Sequence, residues 1–385
     1  MAGHSPADSI PAIAAALGRG ITTMLPNEEA ILVGEELGRR FGLHYWQFTL
    51  TATDANRFAL RLCRQVTGRP YLLVYDHCYH GSVDESFATL HDGVVGPSEG
   101  NVGPPVDPRL TTKVVKWNDV AALEAALAPG DVACVLAEPV MTNVGIVHPE
   151  PGYHEALREI TRRTGTLLII DETHTICAGP GGYTQEAGLE PDLLTIGKAI
   201  GSGIPAGAYG FTEEVAARIA AANSDPELVD VGGVGGTLAG NALSLAAIRA
   251  TLDHVLTGEA FARMIPLAER WTAGVQATID EFALPWHVSR LGCRAEYLFR
   301  PELPRTGAEA AEGMDFELQQ YMHLHALNRR ILLTPFHNMA LMCPTRARTT
   351  WTATPPLSAR RSSACSAEEA PMASAPQGSV PVPSG

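Results

Sequence analysis

Two ionisable residues stand where apolar runs of the sequence end. Asp171 closes the run "LLIID", and Lys198 follows "DLLTIG". A charge at the end of a buried strand is costly unless something binds it. A lysine amine in such a place can form a Schiff base with a carbonyl compound, and a nearby carboxylate can keep a pyridinium nitrogen protonated so that the ring draws electrons. The alternatives are a solvated surface lysine and an aspartate that caps a helix.

The elements that would position this pair alternate between strand and helix from Ile10 to about Thr251. The strand-like runs are "HYWQFTL", "PYLLVYD", "TKVVKW", "VACVLAEP", "TLLIIDE" and "DLLTIG", and the helical stretches are "DANRFALRLCRQVTG", "DVAALEAALAPG" and "PGYHEALREITRRTG". This alternation predicts an α/β fold whose mostly parallel sheet carries helices on both faces. Ligands of such sheets bind beyond the carboxyl ends of the strands, where Asp171 and Lys198 fall.

The rest of the chain differs in composition from this alternating part. Asp84 to Pro108 is polar and rich in Gly and Pro, which predicts a long loop near the site. Helices dominate from Gly240, and the strand-like "EYLFR" and "ILLTPF" complete a smaller α+β domain. The Ser-, Ala-, Pro- and Arg-rich end predicts disorder. We therefore predict an N-terminal helical segment at 1–40, a large ligand-binding domain at 41–250, a small C-terminal domain at 251–344 and a disordered tail at 345–385.

Composition excludes several classes of protein. The chain has 385 residues and a net charge of -14 at pH 7, which is unsuited to binding nucleic-acid phosphates. It lacks a signal-peptide pattern and an apolar run of about 18–20 residues, so we expect neither export nor a membrane span. Seven cysteines without a CxxC pair are typical of a reducing cytoplasm. We expect no metal at "HCYH" (77–80), because strand alternation would place its two histidines on opposite faces.

Three ordered motifs resemble those of the class III (subgroup II) pyridoxal-phosphate aminotransferases. They are "DETHT", "GKAIGSGIPAGAYG" and "GGTLAGN", and the resemblance runs from about His4 to Cys343. The branch that resembles this chain most is the glutamate-1-semialdehyde aminomutase-like one. The resemblance implies the type I fold of pyridoxal-phosphate enzymes, pyridoxal 5'-phosphate as the cofactor, and amino acids and oxo acids as substrates.

The resemblance also implies roles for single residues. Lys198 matches the Schiff-base lysine, and Asp171 matches the partner of the pyridine nitrogen. Thr51, Ala52 and Thr53 match the phosphate loop, whose amides would face the phosphate at the start of a helix. The other cofactor-binding residues implied are Tyr79, stacked on the ring, His80, Glu138, Asn143, near the ring hydroxyl, Thr173, His174, Gly236 and Thr237. Thr237 would reach the phosphate bound by the neighbouring subunit, which predicts a homodimer.

Departures from the family pattern bear on the activity. Thr51–Ala52 replaces the usual Ser–Gly. His337 follows Phe336, where the aminomutases have a glutamate after a phenylalanine, and this favours ordinary transamination over amine transfer within one molecule. Met339 and Met342 would suit β-amino or aryl amino acids. Compared with the family, the chain starts late and we expect the tail to cut its small domain short, so a catalytically impaired cofactor-binding homologue is the third interpretation.

Overall fold

The computed structural model describes residues 1–22, 25–103, 106–223 and 232–344. Its strands are β1 (Tyr45–Thr49), β2 (Tyr71–Tyr75), β3 (Ala88–His91), β4 (Val94–Pro97), β5 (Thr112–Val115), β6 (Val132–Ala137), β7 (Leu167–Asp171), β8 (Leu193–Ile196), β9 (Gly207–Phe211), β10 (His287–Leu291), β11 (Arg294–Leu298) and β12 (Met339–Leu341). Its helices are α1 (Ile10–Arg19), α2 (Glu28–Phe41), α3 (Ala52–Thr67), α4 (Val120–Leu127), α5 (Tyr153–Thr164), α6 (Gly182–Glu186), α7 (Glu213–Ala222), α8 (Ala242–Ala250), α9 (Gly258–Glu281), α10 (Gly307–Glu312) and α11 (Phe316–Leu327).

The main sheet has seven strands in the order β1-β9-β8-β7-β6-β2-β5. Strands β5, β2, β6, β7 and β8 run parallel, whereas β9 runs antiparallel to β8 and β1 runs antiparallel to β9. Every residue of β6, β7 and β8 is buried, as expected for strands that helices cover on both faces. The mostly parallel α/β sheet predicted from the sequence is confirmed.

Helix α3 begins at the edge of the sheet where the parallel strands end. Thr51 caps it, since the Thr51 hydroxyl accepts a hydrogen bond from the Asp54 amide at 3.0 Å. Gly68 ends it in the left-handed conformation, with φ of 68°. The buried face of this helix packs on the sheet, so its first turn is held close to the end of β7.

A second, three-stranded sheet is formed by β10, β11 and β12, all antiparallel. The strand predicted at "ILLTPF" (331–336) is wrong, because the chain pairs with β11 only from Met339. Pro335 has no amide hydrogen to donate to a strand, and the Thr334 hydroxyl donates to the carbonyl of His337 at 2.6 Å. These residues therefore make a turn that precedes β12.

The segment predicted as a long loop, Asp84 to Pro108, contains the hairpin β3–β4. His91 pairs with Val94 across a two-residue turn. The turn residues Asp92 and Gly93 have φ of 51° and 81°, the left-handed conformation that an Asp-Gly hairpin turn requires. The loop prediction was wrong here because it overlooked this turn signal within "LHDGVV".

Other predictions have different outcomes. The strand alternation predicted for residues 77–80 is wrong. Strand β2 ends at Tyr75, and His77 has a left-handed φ of 63°. The tail at 345–385 lies outside the described residues, and the domain boundaries stay predictions. Of the helices in the described ranges, none has the length and apolar character that a bilayer crossing requires.

Candidate active site

A cavity of about 390 Å³ opens at the carboxyl ends of β7 and β8. Ten of the residues singled out from the sequence line it: Thr51, Ala52, Thr53, Tyr79, His80, Glu138, Asp171, Thr173, His174 and Lys198. They come from segments that lie far apart along the chain. The sheet therefore brings the lysine, the aspartate and the start of α3 into one space, as the strand ends predicted.

Asp171 lies at the closed side of this cavity, as the last residue of β7. Its Oδ2 is 2.9 Å from His80 Nδ1 and accepts a hydrogen bond from Asn56 Nδ2 at 2.9 Å, and its Oδ1 accepts one from the Thr173 amide at 3.0 Å. Burial raises the pKa of Asp171, but the hydrogen bond with His80, the charge of His80 and the other hydrogen bonds lower it by more. The net effect is a pKa well below the usual range. The carboxylate is therefore ionised although it is buried.

Asn56 is a site residue that the sequence analysis missed. Its side chain is fully buried on α3, where Nδ2 donates to Asp171 and to the carbonyl of His80, and Oδ1 accepts from Thr195 Oγ1 at 2.6 Å. Asn56 thus connects the Asp171 carboxylate to α3 and, through Thr195, to β8 by hydrogen bonds. The available signal was an asparagine on the apolar face of an otherwise amphipathic helix, since a buried amide needs partners.

We expect the buried pair of Asp171 and His80 to stabilise the fold most in mildly acidic solution. The lowered pKa of Asp171 adds stability above the ordinary aspartate value of 3.8, and this is lost as the pH falls through the folded-state pKa. For His80, burial lowers the pKa, but Cys78 and Asp171 raise it well above 6.5 overall. The stability that His80 adds is complete below that ordinary value and is lost as the pH rises through the folded-state pKa.

The difference in the free energy of unfolding between the parent protein and His80→Gln should thus be largest between about pH 4 and 6.5. Urea unfolding at a series of pH values measures it. His254→Gln, at an exposed histidine, is the control and should show no such maximum. A difference that does not vary with pH would show that His80 is neutral in the folded protein.

The start of α3 forms another wall of the cavity. The first amides of a helix have no partners within the helix and attract anions. The Thr51 hydroxyl is already engaged, since it caps the helix and donates to Asp54 Oδ2 at 2.9 Å. The Thr53 hydroxyl accepts from the Ser82 amide at 3.3 Å. The first amides of this turn and the hydrogen of the Thr53 hydroxyl are therefore left to hold an anion, whereas the Thr51 hydroxyl is not.

Gly81 permits a close approach between this helix turn and the loop after β2. It has a left-handed φ of 78°, and a Cβ at this position would lie 2.0 Å from Thr53 Oγ1. We expect Gly81→Ala to weaken binding of the cofactor that the family resemblance implies about tenfold, equivalent to about 1.4 kcal/mol, because it pushes Thr53 away. Equilibrium titration with the cofactor measures this loss. The matched control is Gly130→Ala, with φ of 70° but no neighbour within 4 Å, so equal losses would contradict the steric explanation.

Lys198 begins a short 3₁₀ turn directly after β8 and has a left-handed φ of 50°. Its amine contacts Nε2 of His174. The side chain is exposed at the mouth of the cavity but has protein on its other sides, so desolvation is partial. This burial, helped by Arg294, lowers the pKa of Lys198, whereas Asp171 and Glu138 act in the opposite direction. A larger fraction of neutral, nucleophilic amine results.

Three polar atoms of the cavity wall are buried and have no hydrogen-bond partner within the described part of the chain. They are His80 Nε2, Glu138 Oε1 and Thr173 Oγ1. Buried polar atoms are nearly always bonded, so their presence around one cavity indicates a ligand or water. With the ionised Asp171, the helix start and the Lys198 amine, they fit a cofactor that carries a ring nitrogen, a phosphate and a carbonyl.

A second cavity, of about 640 Å³, adjoins the first and shares Lys198, His174, Thr173 and Tyr79 with it. Asn143 lines this second cavity rather than the first, and its Nδ2 donates to the carbonyl of His77 at 3.1 Å. The remaining walls mix the charged or polar Arg294 and His337 with apolar Phe336, Met339 and Leu341. This cavity is large enough for an amphiphilic small molecule beside Lys198.

Arg294 and Thr142 are further residues that the sequence analysis missed. Arg294 is 5% exposed, and its Nη2 donates to the carbonyl of Thr142 at 2.9 Å and to Glu296 Oε2 at 2.8 Å. Burial lowers the pKa of Arg294, but Glu296 raises it more. Glu296 is also 2.8 Å from His337 Nδ1. A charged pair in strand-like "CRAEYLFR" was the only signal available for this cluster.

Gly236 and Thr237 do not line either cavity described above. Both are exposed and lie along a different cleft with Arg57, Arg61 and Phe48. A contact of Thr237 with the cofactor of a neighbouring subunit stays a prediction.

Comparison with known proteins identifies the family. The sequence model of the family described as Aminotransferase class-III matches residues 1–278. A glutamate-1-semialdehyde 2,1-aminomutase of Thermomicrobium roseum is 34% identical over 87% of this chain and 77% of its own length.

Solved structures agree with this assignment. A glutamate-1-semialdehyde aminomutase of Pseudomonas aeruginosa PAO1, solved in complex with PMP, has a TM-score of 0.91 and is 50% identical over 94% of this chain and 80% of its own. A β-phenylalanine aminotransferase of Variovorax paradoxus has a TM-score of 0.83 and is 25% identical over 95% of this chain and 81% of its own. The chain therefore belongs to the class III aminotransferases, which are pyridoxal-phosphate enzymes of fold type I.

Proposed function

We propose that this protein is a transaminase that moves an amino group between an amino acid and a 2-oxo acid, with Lys198 and Asp171 as its catalytic residues. The observation that carries the proposal is that the Lys198 amine and the buried, ionised Asp171 line one cavity. When bound, pyridoxal phosphate supplies an aldehyde that holds amino groups covalently and a ring that withdraws electrons.

The residues of the chain divide the remaining work. The Asp171 carboxylate would hold a proton on the ring nitrogen, and Asn56 and His80 keep that carboxylate in place. The first turn of α3 would hold the phosphate. The Lys198 amine would anchor the cofactor and, once a substrate amine displaces it, carry a proton to and from the substrate carbon. Tyr79 would cover the ring.

The second cavity suits an amino acid with an apolar side chain. Arg294 is the one arginine among the described residues that line it, and its buried Nε has no hydrogen-bond partner there. A substrate carboxylate would be attracted to it, and Phe336 and Met339 would contact an aryl or alkyl group. This supports a β-amino or aryl amino acid as the amino donor.

The comparisons favour a second candidate, the movement of an amine within one molecule. The relatives from Thermomicrobium roseum and Pseudomonas aeruginosa are both named glutamate-1-semialdehyde aminomutases. Transamination remains our first choice, because His337 follows Phe336 at the position where the family resemblance implies a glutamate in the mutases.

One assay separates the two candidates. Holoenzyme is given a panel of α-, β- and aryl amino acids with 2-oxoglutarate or pyruvate, and separately glutamate-1-semialdehyde alone. We expect equimolar oxo product and new amino acid only when donor and acceptor are both present. Conversion of glutamate-1-semialdehyde without any acceptor would overturn transamination in favour of the mutase, and the absence of both reactions would favour an impaired homologue.

The same panel tests the carboxylate contact. Arg294→Met should raise KM for amino acids but not for an aryl amine that lacks a carboxylate. An equal rise for both would show that Arg294 only supports the fold.

We further propose a homodimer in which Thr237 approaches the partner's cofactor, and light scattering of the parent protein tests the dimer.

A further inference from the structure

The amine of Lys198 lies at the end of a chain of polar contacts that leads to a buried acid. Lys198 Nζ contacts His174 Nε2, His174 Nδ1 lies 2.8 Å from Thr142 Oγ1, and the Thr142 hydroxyl donates to Glu138 Oε2. His174 Nδ1 is also 3.4 Å from Glu138 Oε2. The four residues come from the ends of three neighbouring strands of the sheet.

The direction of these hydrogen bonds fixes the tautomer of His174. An ionised carboxylate only accepts, so the Thr142 hydroxyl gives its single hydrogen to Glu138. The hydroxyl can then only accept from His174 Nδ1, which must carry a hydrogen. Because a neutral imidazole has one N–H, His174 Nε2 is left with a lone pair that faces the Lys198 amine.

Thr142 and Glu138, at the far end of this series of contacts, are more buried than Lys198. Thr142 and Glu138 are 1% and 3% exposed, whereas Lys198 is exposed to the cavity. The Thr142 carbonyl accepts from Arg294 at 2.9 Å, which holds the bridging residue from a second side. A flexible lysine side chain thus meets a fixed acceptor.

We propose that His174 is a positioning residue for Lys198, whose Nε2 accepts a hydrogen bond from the ammonium and holds it in place, while Thr142 and Glu138 fix the required tautomer. The inference rests on the proposed role of Lys198 as the reactive amine.

The charges around Lys198 determine what removal of His174 should do. Asp171 and Glu138 face the amine as anions, and Arg294 faces it as a cation. Because the tautomer fixed by Thr142 and Glu138 leaves a lone pair on His174 Nε2, His174 is the acceptor of this hydrogen bond. An acceptor stabilises the charged ammonium more than the neutral amine. Loss of the acceptor should therefore lower the pKa of Lys198.

The test is competitive labelling of the cofactor-free, full-length protein with acetic anhydride across a range of pH. The sequence has three lysines, Lys113, Lys116 and Lys198, so peptide mass spectrometry follows each amine separately. We expect His174→Leu to lower the labelling pKa of Lys198 by about one unit. His174→Gln, whose amide oxygen can accept, should restore most of the shift, and Thr142→Val should give a smaller shift of the same sign.

Lys113 and Lys116 serve as internal controls and should not change in any variant. Thermal unfolding checks that each variant is folded, and Thr142→Val keeps the result interpretable if His174→Leu is not. In the holoenzyme, His174→Leu should lower kcat about tenfold with little change in KM. An unchanged or raised labelling pKa of Lys198 would overturn the inference. Since labelling needs no substrate, it can succeed even if the proposed transamination fails.

Discussion

Replacement of Lys198 by alanine should lower turnover by at least about a thousandfold, the scale of a positioned group that transfers protons. The amine is the only lysine nitrogen among the described residues that lines the cavity. The side chain is exposed, and the hydrogen bond that it makes among the described residues is with His174. We therefore expect the variant to keep the melting temperature and circular dichroism of the parent protein.

The matched control for this prediction is Lys116→Ala, because Lys116 is exposed just after β5 and does not line the cavity. It should keep full turnover. Borohydride reduction of the loaded parent enzyme should attach the cofactor to the peptide that contains Lys198. Attachment to Lys113 or Lys116, or near-normal turnover of Lys198→Ala, would show that the anchor has been assigned to the wrong residue.

Replacement of Asp171 by asparagine should lower kcat by about a hundredfold or more, at the lower end of what a single catalytic group contributes. Asparagine is almost the same size and can still accept from the Thr173 amide, so the change removes charge rather than shape. A neutral amide cannot hold a proton on the ring nitrogen, so the ring withdraws electrons less strongly. Steady-state kinetics with the best amino donor from the panel measures the loss.

The change also leaves His80 buried without its counter-charge, so part of any loss could come from stability. Asp192→Asn is the matched control, because Asp192 forms a similar partly buried ion pair with Arg158 at the opposite end of β8, away from the cavity. It should lower the unfolding temperature but not kcat. Equal losses of kcat in the two variants, or an unchanged kcat in Asp171→Asn, would contradict the role of Asp171.

The sequence by itself determined the sheet and the two residues at its active edge. A continuous apolar run indicates a buried strand because residues i and i+1 point to opposite faces of a sheet, so that both faces must be covered, and this information is local. Asp171 and Lys198 end such runs, so their meeting at one edge followed from the parallel arrangement alone. The family followed from short motifs around the same residues.

The partners of those two residues could not be predicted in the same way. Asn56 meets Asp171 across 115 positions of the sequence, and Arg294 meets Thr142 across 152. The partner of each polar side chain depends on how α3 and β11 pack against the main sheet. No local sequence pattern encodes a contact between residues so far apart along the chain. The turn at Asp92–Gly93 is different, since its signal was local and was overlooked.

The tautomer of His174 shows most plainly what only the tertiary structure decided. In the sequence, His174 is one of thirteen histidines, and its position after Thr173 says nothing about its protons. In the fold, Glu138 and Thr142 approach Nδ1 while Lys198 approaches Nε2. Burial requires partners for the Thr142 hydroxyl and Glu138 Oε2, and the geometry of the strand ends leaves one arrangement of hydrogens along these contacts.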